Sequence, residues 1–128
     1  MDRVFLDSNV LFSACYGSAR ILRLWEAAAA GRCRLLTSGY VLQEVLNNLS
    51  TPAQREILAS CLDGMEIVPE PPADLPCALT LPRSDRPVFL AAVAAGATHL
   101  LTGDRRAFGE HYRKRVAGTL ILPPAEYP

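Results

Sequence analysis

A chain of 128 residues, half of them hydrophobic and a fifth charged, has the length of one domain and enough apolar content to bury a core, which excludes wholesale disorder. Its 13 Lys and Arg balance 13 Asp and Glu, so a non-specific nucleic-acid binder, which needs excess cations, is disfavoured and only a local basic patch is left open. No charge-free apolar stretch reaches the roughly 18 residues of a membrane span, and Met1-Asp2-Arg3 lacks the basic and apolar regions of a secretory signal, so a cytoplasmic protein without membrane attachment is expected.

Taken in order, the apolar run Val4-Phe5-Leu6 predicts a short buried strand, followed by Asp7 and a helix over 9–14. An acid there lies just beyond a strand end, where ligands gather in open α/β sheets. Asp7 or Ser8 would serve equally well as a plain helix cap. Ser18 opens a predicted helix to about residue 30, in which Ile21, Leu24, Trp25, Ala28 and Ala29 share one face and Gly31 supplies the stop. Residues 33–37 predict a second strand, and Ser38 then caps a helix through about residue 49. In that helix Val41, Leu42, Val45, Leu46 and Leu49 are expected to face inward, with Gln43, Glu44, Asn47 and Asn48 on the polar side. Thr51-Pro52 begins a further helix to about residue 62, and residues 65–68 read as a third strand.

Prolines at 69, 71, 72, 76 and 82 forbid a central strand or an unbroken helix over 69–82, which is therefore read as a wrapping connection. Ser84-Asp85-Arg86-Pro87 opens an all-apolar helix over about 88–95 that Gly96 ends. A helix apolar on every side belongs inside. His99 to Thr102 predicts a fourth strand ending in Gly103-Asp104, and residues 120–122 a last one. Cys15, Cys33, Cys61 and Cys77 contain no C-x-x-C pair, and His99 and His111 have no metal-ligand spacing, so buried free thiols are expected.

Four carboxylates are thereby assigned to one edge. Asp7 and Asp104 follow strands, Asp85 starts a helix and Glu44 lies in the early turns of another, and right-handed β-α-β crossovers bring such termini to the same end of a parallel sheet. Two carboxylates about 5 Å apart repel by roughly 3 kcal/mol at an effective dielectric near 20. Such a group calls for protons or a cation, and oxygen ligands alone favour Mg²⁺ or Mn²⁺ over zinc.

Leu-Asp-Ser-Asn-Val-Leu at 6–11, Glu44 after the second strand, Asp85 before an alanine-rich helix, and Leu-Leu-Thr-Gly-Asp-Arg-Arg-Ala-Phe at 100–108 together resemble the PIN domain, over nearly the whole chain. The resemblance implies a single domain over 1–128, a three-layer α/β/α sandwich around a central, mostly parallel sheet of four to five strands. It implies Mg²⁺- or Mn²⁺-dependent cleavage of RNA with one or two ions, most often by the toxin of a VapC-like toxin-antitoxin module. Asp7, Glu44, Asp85 and Asp104 then match the family's acidic quartet as catalytic and metal-holding residues; Asn9 and Thr102 match polar positions beside it. A cognate antitoxin over the acid cleft and a homodimer are the implied partners, besides the RNA.

Two departures accompany that likeness. Ala107 stands where many members carry another acid or polar residue, and Asp85 is the only acid among Arg83, Arg86 and Pro87, so a second ion has fewer ligands. Arg83, Arg86, Arg105 and Arg106 flank two of the acids, either to contact phosphates or to neutralise those acids. A catalytically silent PIN-like scaffold binding RNA or protein is the first alternative. A receiver-type phosphoacceptor module is the second; it needs an aspartate after the third strand and a lysine after the fifth, whereas Pro69 follows Val68 and the only lysine is Lys114.

Overall fold

Val4, Phe5 and Leu6 are completely buried, because an unbroken apolar run finds cover on both faces only in a central strand with helices above and below it. The computed structural model describes residues 1–72 and 74–128. Six strands, β1 (Asp2–Leu6), β2 (Cys33–Ser38), β3 (Met65–Val68), β4 (His99–Leu101), β5 (Arg115–Val116) and β6 (Thr119–Leu122), form one sheet in the order β3-β2-β1-β4-β6-β5. All neighbours run parallel except β5 and β6. Leu35, Leu36, Leu100 and Leu101 in the strands on either side of β1, and Ile121 in β6 beyond β4, are as fully buried as its own residues.

The helices are α1 (Ser8–Cys15), α2 (Ala19–Ala29), α3 (Gly39–Asn48), α4 (Pro52–Asp63), α5 (Arg86–Ala94) and the short α6 (Arg105–Phe108). Their starts follow the side-chain acceptors in the sequence. Ser18 accepts from the Ile21 N–H and Ser38 from the Val41 N–H, while Thr51 and Gln54 form a reciprocal capping box. The chain steps from β1 to β2 to β3, then returns across the sheet to β4 on the other side of β1. Right-handed crossovers in the two directions place their helices on opposite faces. Accordingly α1 packs against α2, α3 and α4, while α5 packs on β2 and β4. The reversal of strand order at β1 and β4 is where open α/β sheets leave a crevice for ligands.

The expected elements are found with ends shifted by up to two residues, and the parallel α/β architecture is the one expected. The sheet has one strand more than the four to five expected, because residues 115–122 fold into a hairpin. Its turn is Ala117-Gly118, both with positive φ (51° and 85°), and alanine gives little warning of a left-handed residue. Leu46, expected inside, is 44% exposed, and Leu42 is half-buried; α3 buries only Val41 and Val45, with Leu49 just beyond it. α3 thus presents a narrower apolar stripe than its leucines suggest. Cys15, Cys33 and Cys61 are buried free thiols, as expected, whereas Cys77 is half-buried. The proline-rich stretch 69–82 includes residue 73, which lies outside the described residues; the rest of it makes no strand.

Candidate active site

The register of β1 against β4 sets Leu6 beside Leu101, so the residues that follow, Asp7 and Thr102, emerge side by side. The Asp7 N–H continues the ladder to the Leu101 carbonyl at 3.1 Å. Asp7 is only 4% exposed. Its Oδ1 accepts from the Ser8 N–H at 2.7 Å and its Oδ2 from the Thr102 hydroxyl at 2.8 Å. Asp7 therefore takes the cap position of α1, leaving the Ser8 hydroxyl free to donate to Glu44.

Around Asp7 the polar groups interlock. Asn9 Nδ2 lies 3.4 Å from both Asp7 Oδ2 and Thr102 Oγ1, and Asn9 Oδ1 accepts from the Gly103 N–H at 2.7 Å. Thr102 Oγ1 also accepts from the Asp104 N–H at 3.1 Å. Gly103 is close-packed: a Cβ there would stand 3.1 Å from Asn9 Oδ1 and press on the amide that holds the loop. Asp104 in turn caps α6 through the Ala107 N–H at 3.1 Å.

Burial raises the Asp7 carboxyl from 3.8 to about 6, against the lowering effect of the Thr102 and Ser8 hydrogen bonds, and the charges of Glu44 and Asp85 raise it further. Asp85, at the start of α5, makes no capping hydrogen bond with its side chain. Its pKa is raised too, by partial burial first and then by Asp104 and Glu44. Asp7 thus feels the charges of Glu44 and Asp85, and Asp85 those of Asp104 and Glu44, across one edge of the sheet. Glu44 is exposed on α3.

The donors at this edge are carboxylate, hydroxyl and amide oxygens, a set suited to a hard dication rather than zinc. Burial and neighbouring acids raise the proton affinity of Asp7 and Asp85, and a dication would offset the negative charge placed beside them. By the chemistry of its donors the site therefore fits Mg²⁺ or Mn²⁺. Among the described residues, however, no three His, Cys, Asp or Glu side chains are gathered closely enough to hold an ion.

Arg83, Arg86, Arg105 and Arg106 are all exposed. Among the described residues the ion pairs of arginine are those of Arg3 and Arg34 with Glu66 and of Arg113 with Glu126. Within that set none of the four arginines beside the acids is neutralised by a carboxylate. A cavity of about 350 Å³ lined by Ser8, Asn9, Phe12 and Glu44 opens beside Asp7, between α1 and α3. Another of about 350 Å³, lined by Arg20, Arg23, Arg32 and Tyr127, shares no residue with it.

A family model for the PIN domain matches residues 3–106. The chain belongs to the PIN domain family. No curated protein matches this PIN domain. Among solved structures it is similar to a chain of VapBC2 from Rickettsia felis, crystallised bound to a DNA fragment from their promoter. The identity is 18%, the TM-score 0.68, and the match covers 94% of this chain and 98% of that one. At that identity the likeness is one of fold.

Two tyrosines at the edge of this PIN domain's site went unremarked in the sequence. The Tyr40 hydroxyl donates to the Ser84 carbonyl at 2.6 Å, and its pKa is raised by burial and then by Glu44, Asp85, Asp7 and Glu70. Its signal was its position one helical turn before Glu44, on the same face of α3. The Tyr112 hydroxyl donates to the Thr102 carbonyl at 2.8 Å, ten residues back along the chain, a contact that no helical or strand spacing announces. Pro69 directly follows β3, where a receiver module needs its aspartate.

Proposed function

We propose that the chain is an Mg²⁺- or Mn²⁺-dependent endoribonuclease, acting in the cytoplasm as the toxin of a toxin-antitoxin pair. The observation that carries this reading is Asp7: a carboxyl at the strand-order reversal, held by Thr102 and Ser8, whose proton affinity rises through burial first and then through the charges of Glu44 and Asp85. Asp7 and Asp104 would hold one ion, because they leave adjoining strands; Glu44 and Asp85 would complete its ligands or hold a second. The ion would supply an acidified water as nucleophile and neutralise charge on the leaving oxygen.

The chain's own residues do the rest. Thr102 fixes Asp7 Oδ2 while receiving the Asp104 N–H, so one hydroxyl orients both acids. Asn9 locks the Gly103 loop to α1. Arg83, Arg86, Arg105 and Arg106 would contact phosphates of the RNA, giving a neutral chain a local cationic rim. The test is cleavage of structured RNA with Mg²⁺ or Mn²⁺ by wild type, Asp7→Asn and Asp104→Ala. Loss in both variants supports the assignment; equal product from all three overturns it.

A small antitoxin lying over the acids and directing an arginine at them, and a homodimer, belong to the same proposal. The similar Rickettsia felis fold comes from a VapBC2 complex, which supports a protein partner here. Growth arrest on expression that disappears in Asp104→Ala would support the toxin role. A silent scaffold that binds RNA or protein is the second reading, favoured by the ungathered state of the acids among the described residues. It predicts RNA binding without product at any concentration of either ion.

A further inference from the structure

Alongside the acids lies a cavity of about 700 Å³, walled by prolines 71, 72, 76 and 87 and by Leu75 and Leu90, with Tyr40, Glu70, Arg83 and Arg86 as its polar members. That volume suits a small organic ligand, and its composition, mostly apolar with a few convergent polar groups, is that of a ligand site rather than a packing defect. Leu75 is left 40% exposed along it. The prolines make its wall stiff, because each ring fixes its own φ.

Its placement indicates the occupant. Tyr40 lines the cavity and also donates to the Ser84 carbonyl, the residue before Asp85, and it lies one helical turn, about 5.4 Å of rise, before Glu44. Arg83 and Arg86 line the cavity on either side of Asp85 in sequence, and neither enters an ion pair among the described residues. Two arginines close to Asp85 in sequence thus line the apolar chamber, Arg86 with its Nε donating to the Leu81 carbonyl at 3.3 Å, so a strand whose phosphate lies at the acids has cationic groups at the chamber's wall. One nucleotide further along a single strand comes a planar, largely apolar base. Glu70 adds a reader: its Oε1 is engaged by the Tyr40 N–H at 2.8 Å, and the remaining oxygen can accept from a base edge that carries N–H donors.

We propose that this cavity is a base subsite, which takes one unpaired nucleobase of the RNA strand next to the phosphate presented to the acids. The base lies between apolar wall and guanidinium planes, and Glu70 favours an edge rich in N–H donors, guanine above uracil. The proposal rests on the ribonuclease reading, and it adds to it a source of sequence preference. An apolar helix of a protein partner is the occupant that would make the same chamber irrelevant to RNA.

The experiment measures binding rather than cleavage. Fluorescein-labelled single-stranded hexaribonucleotides are titrated with the wild-type protein in EDTA, with an abasic site placed at each position in turn and, separately, guanine exchanged for uracil. Stacking of one base makes a single abasic position cost about 5-fold or more in Kd while the others cost little. Leu75→Trp, which fills the chamber from an exposed position, should flatten that profile, and Glu70→Gln should shrink the preference for guanine. A flat abasic profile in wild type, with measurable RNA binding, overturns the subsite and leaves the ribonuclease reading standing. Absence of binding to every oligonucleotide overturns the subsite and leaves the ribonuclease reading to the cleavage assay with metal, and a profile unchanged by Leu75→Trp moves the base elsewhere and overturns the assignment to this cavity.

Discussion

Replacing Asp7 by Asn tests the electrostatic reasoning directly, because it keeps the shape of the side chain and removes its charge. Burial, with the nearby acids, raises the carboxyl from 3.8 to about 6. At roughly 1.4 kcal/mol per pH unit, ionised Asp7 costs the metal-free fold about 3 kcal/mol at neutral pH. The sign follows from the folded state holding its proton more tightly than the unfolded one. Asp7 contributes stability that is fully present below 3.8 and is lost as pH rises through about 6. Against this gain the variant loses acceptor capacity, since an amide NH₂ would face the Thr102 hydroxyl and the Asn9 amide, which Oδ2 now serves at 2.8 and 3.4 Å. That loss is about 1–2 kcal/mol at any pH.

Urea unfolding in EDTA should therefore find Asp7→Asn more stable than wild type by about 1–2 kcal/mol at pH 7.5, and equal or less stable at pH 4.5, a swing of about 2 kcal/mol. A difference that does not change with pH would refute the claim that Asp7 is a strained anion in the free protein. Mg²⁺ supplies the complementary arm. At a hundred times its Kd it should add about 2.7 kcal/mol to wild type at pH 7.5, and next to nothing to the variant.

Thr102→Val preserves shape and removes the hydroxyl that serves Asp7, Asn9 and Asp104. It should cost about 1–3 kcal/mol in unfolding free energy, and because that hydroxyl lowers the Asp7 pKa, the acid limb of the pH–rate profile should move to higher pH. Gly103→Ala would place a Cβ at 3.1 Å from Asn9 Oδ1; we expect RNA cleavage to fall at least as far as in Asn9→Ala, with thermal unfolding little changed. Arg105→Gln with Arg106→Gln should weaken RNA binding uniformly across sequences and reduce the slope of log K against log salt by about 1 for each phosphate that is no longer neutralised, as measured by fluorescence anisotropy.

The parts of the fold that were legible are those in which physics writes locally. Val4-Phe5-Leu6 and Leu35-Leu36 announce two-faced burial by continuous apolar residues, and Ser18, Ser38 and Thr51 announce helix starts by side chains that accept backbone N–H groups. Asp7, Glu44, Asp85 and Asp104 were expected together because strand ends and helix starts in a parallel sheet share one edge, yet among the described residues no three such side chains are gathered closely enough to hold an ion. The interlock of Asn9, Thr102 and Gly103 was not expected, since it depends on Leu6 pairing with Leu101, a register between segments almost a hundred residues apart. β5 gave no signal because Arg115–Val116 is too short for periodicity. Leu46 misled because helical spacing says which residues share a stripe, not how far the neighbouring layer covers it.

The four acids differ in how firmly they are held, and the difference bears on how an ion would be bound. Asp7 and Asp104 issue from β1 and β4 and have oxygens tied to backbone N–H groups. Glu44 stands exposed on α3, and Asp85 has no capping bond. Glu44 and Asp85, with no side-chain bond to a backbone N–H among the described residues, are the acids that side-chain rotation would turn toward an ion. The Ser8 hydroxyl, which donates to Glu44, competes with that rotation. Ser8→Ala removes a hydrogen bond worth about 0.5–1.5 kcal/mol from the free state alone, so Mn²⁺ titrated calorimetrically should bind about 2- to 12-fold more tightly, by the usual tenfold per 1.4 kcal/mol. Weaker binding would mean that Ser8 instead holds Glu44 in place for the ion, and that the free and loaded arrangements of the site are the same.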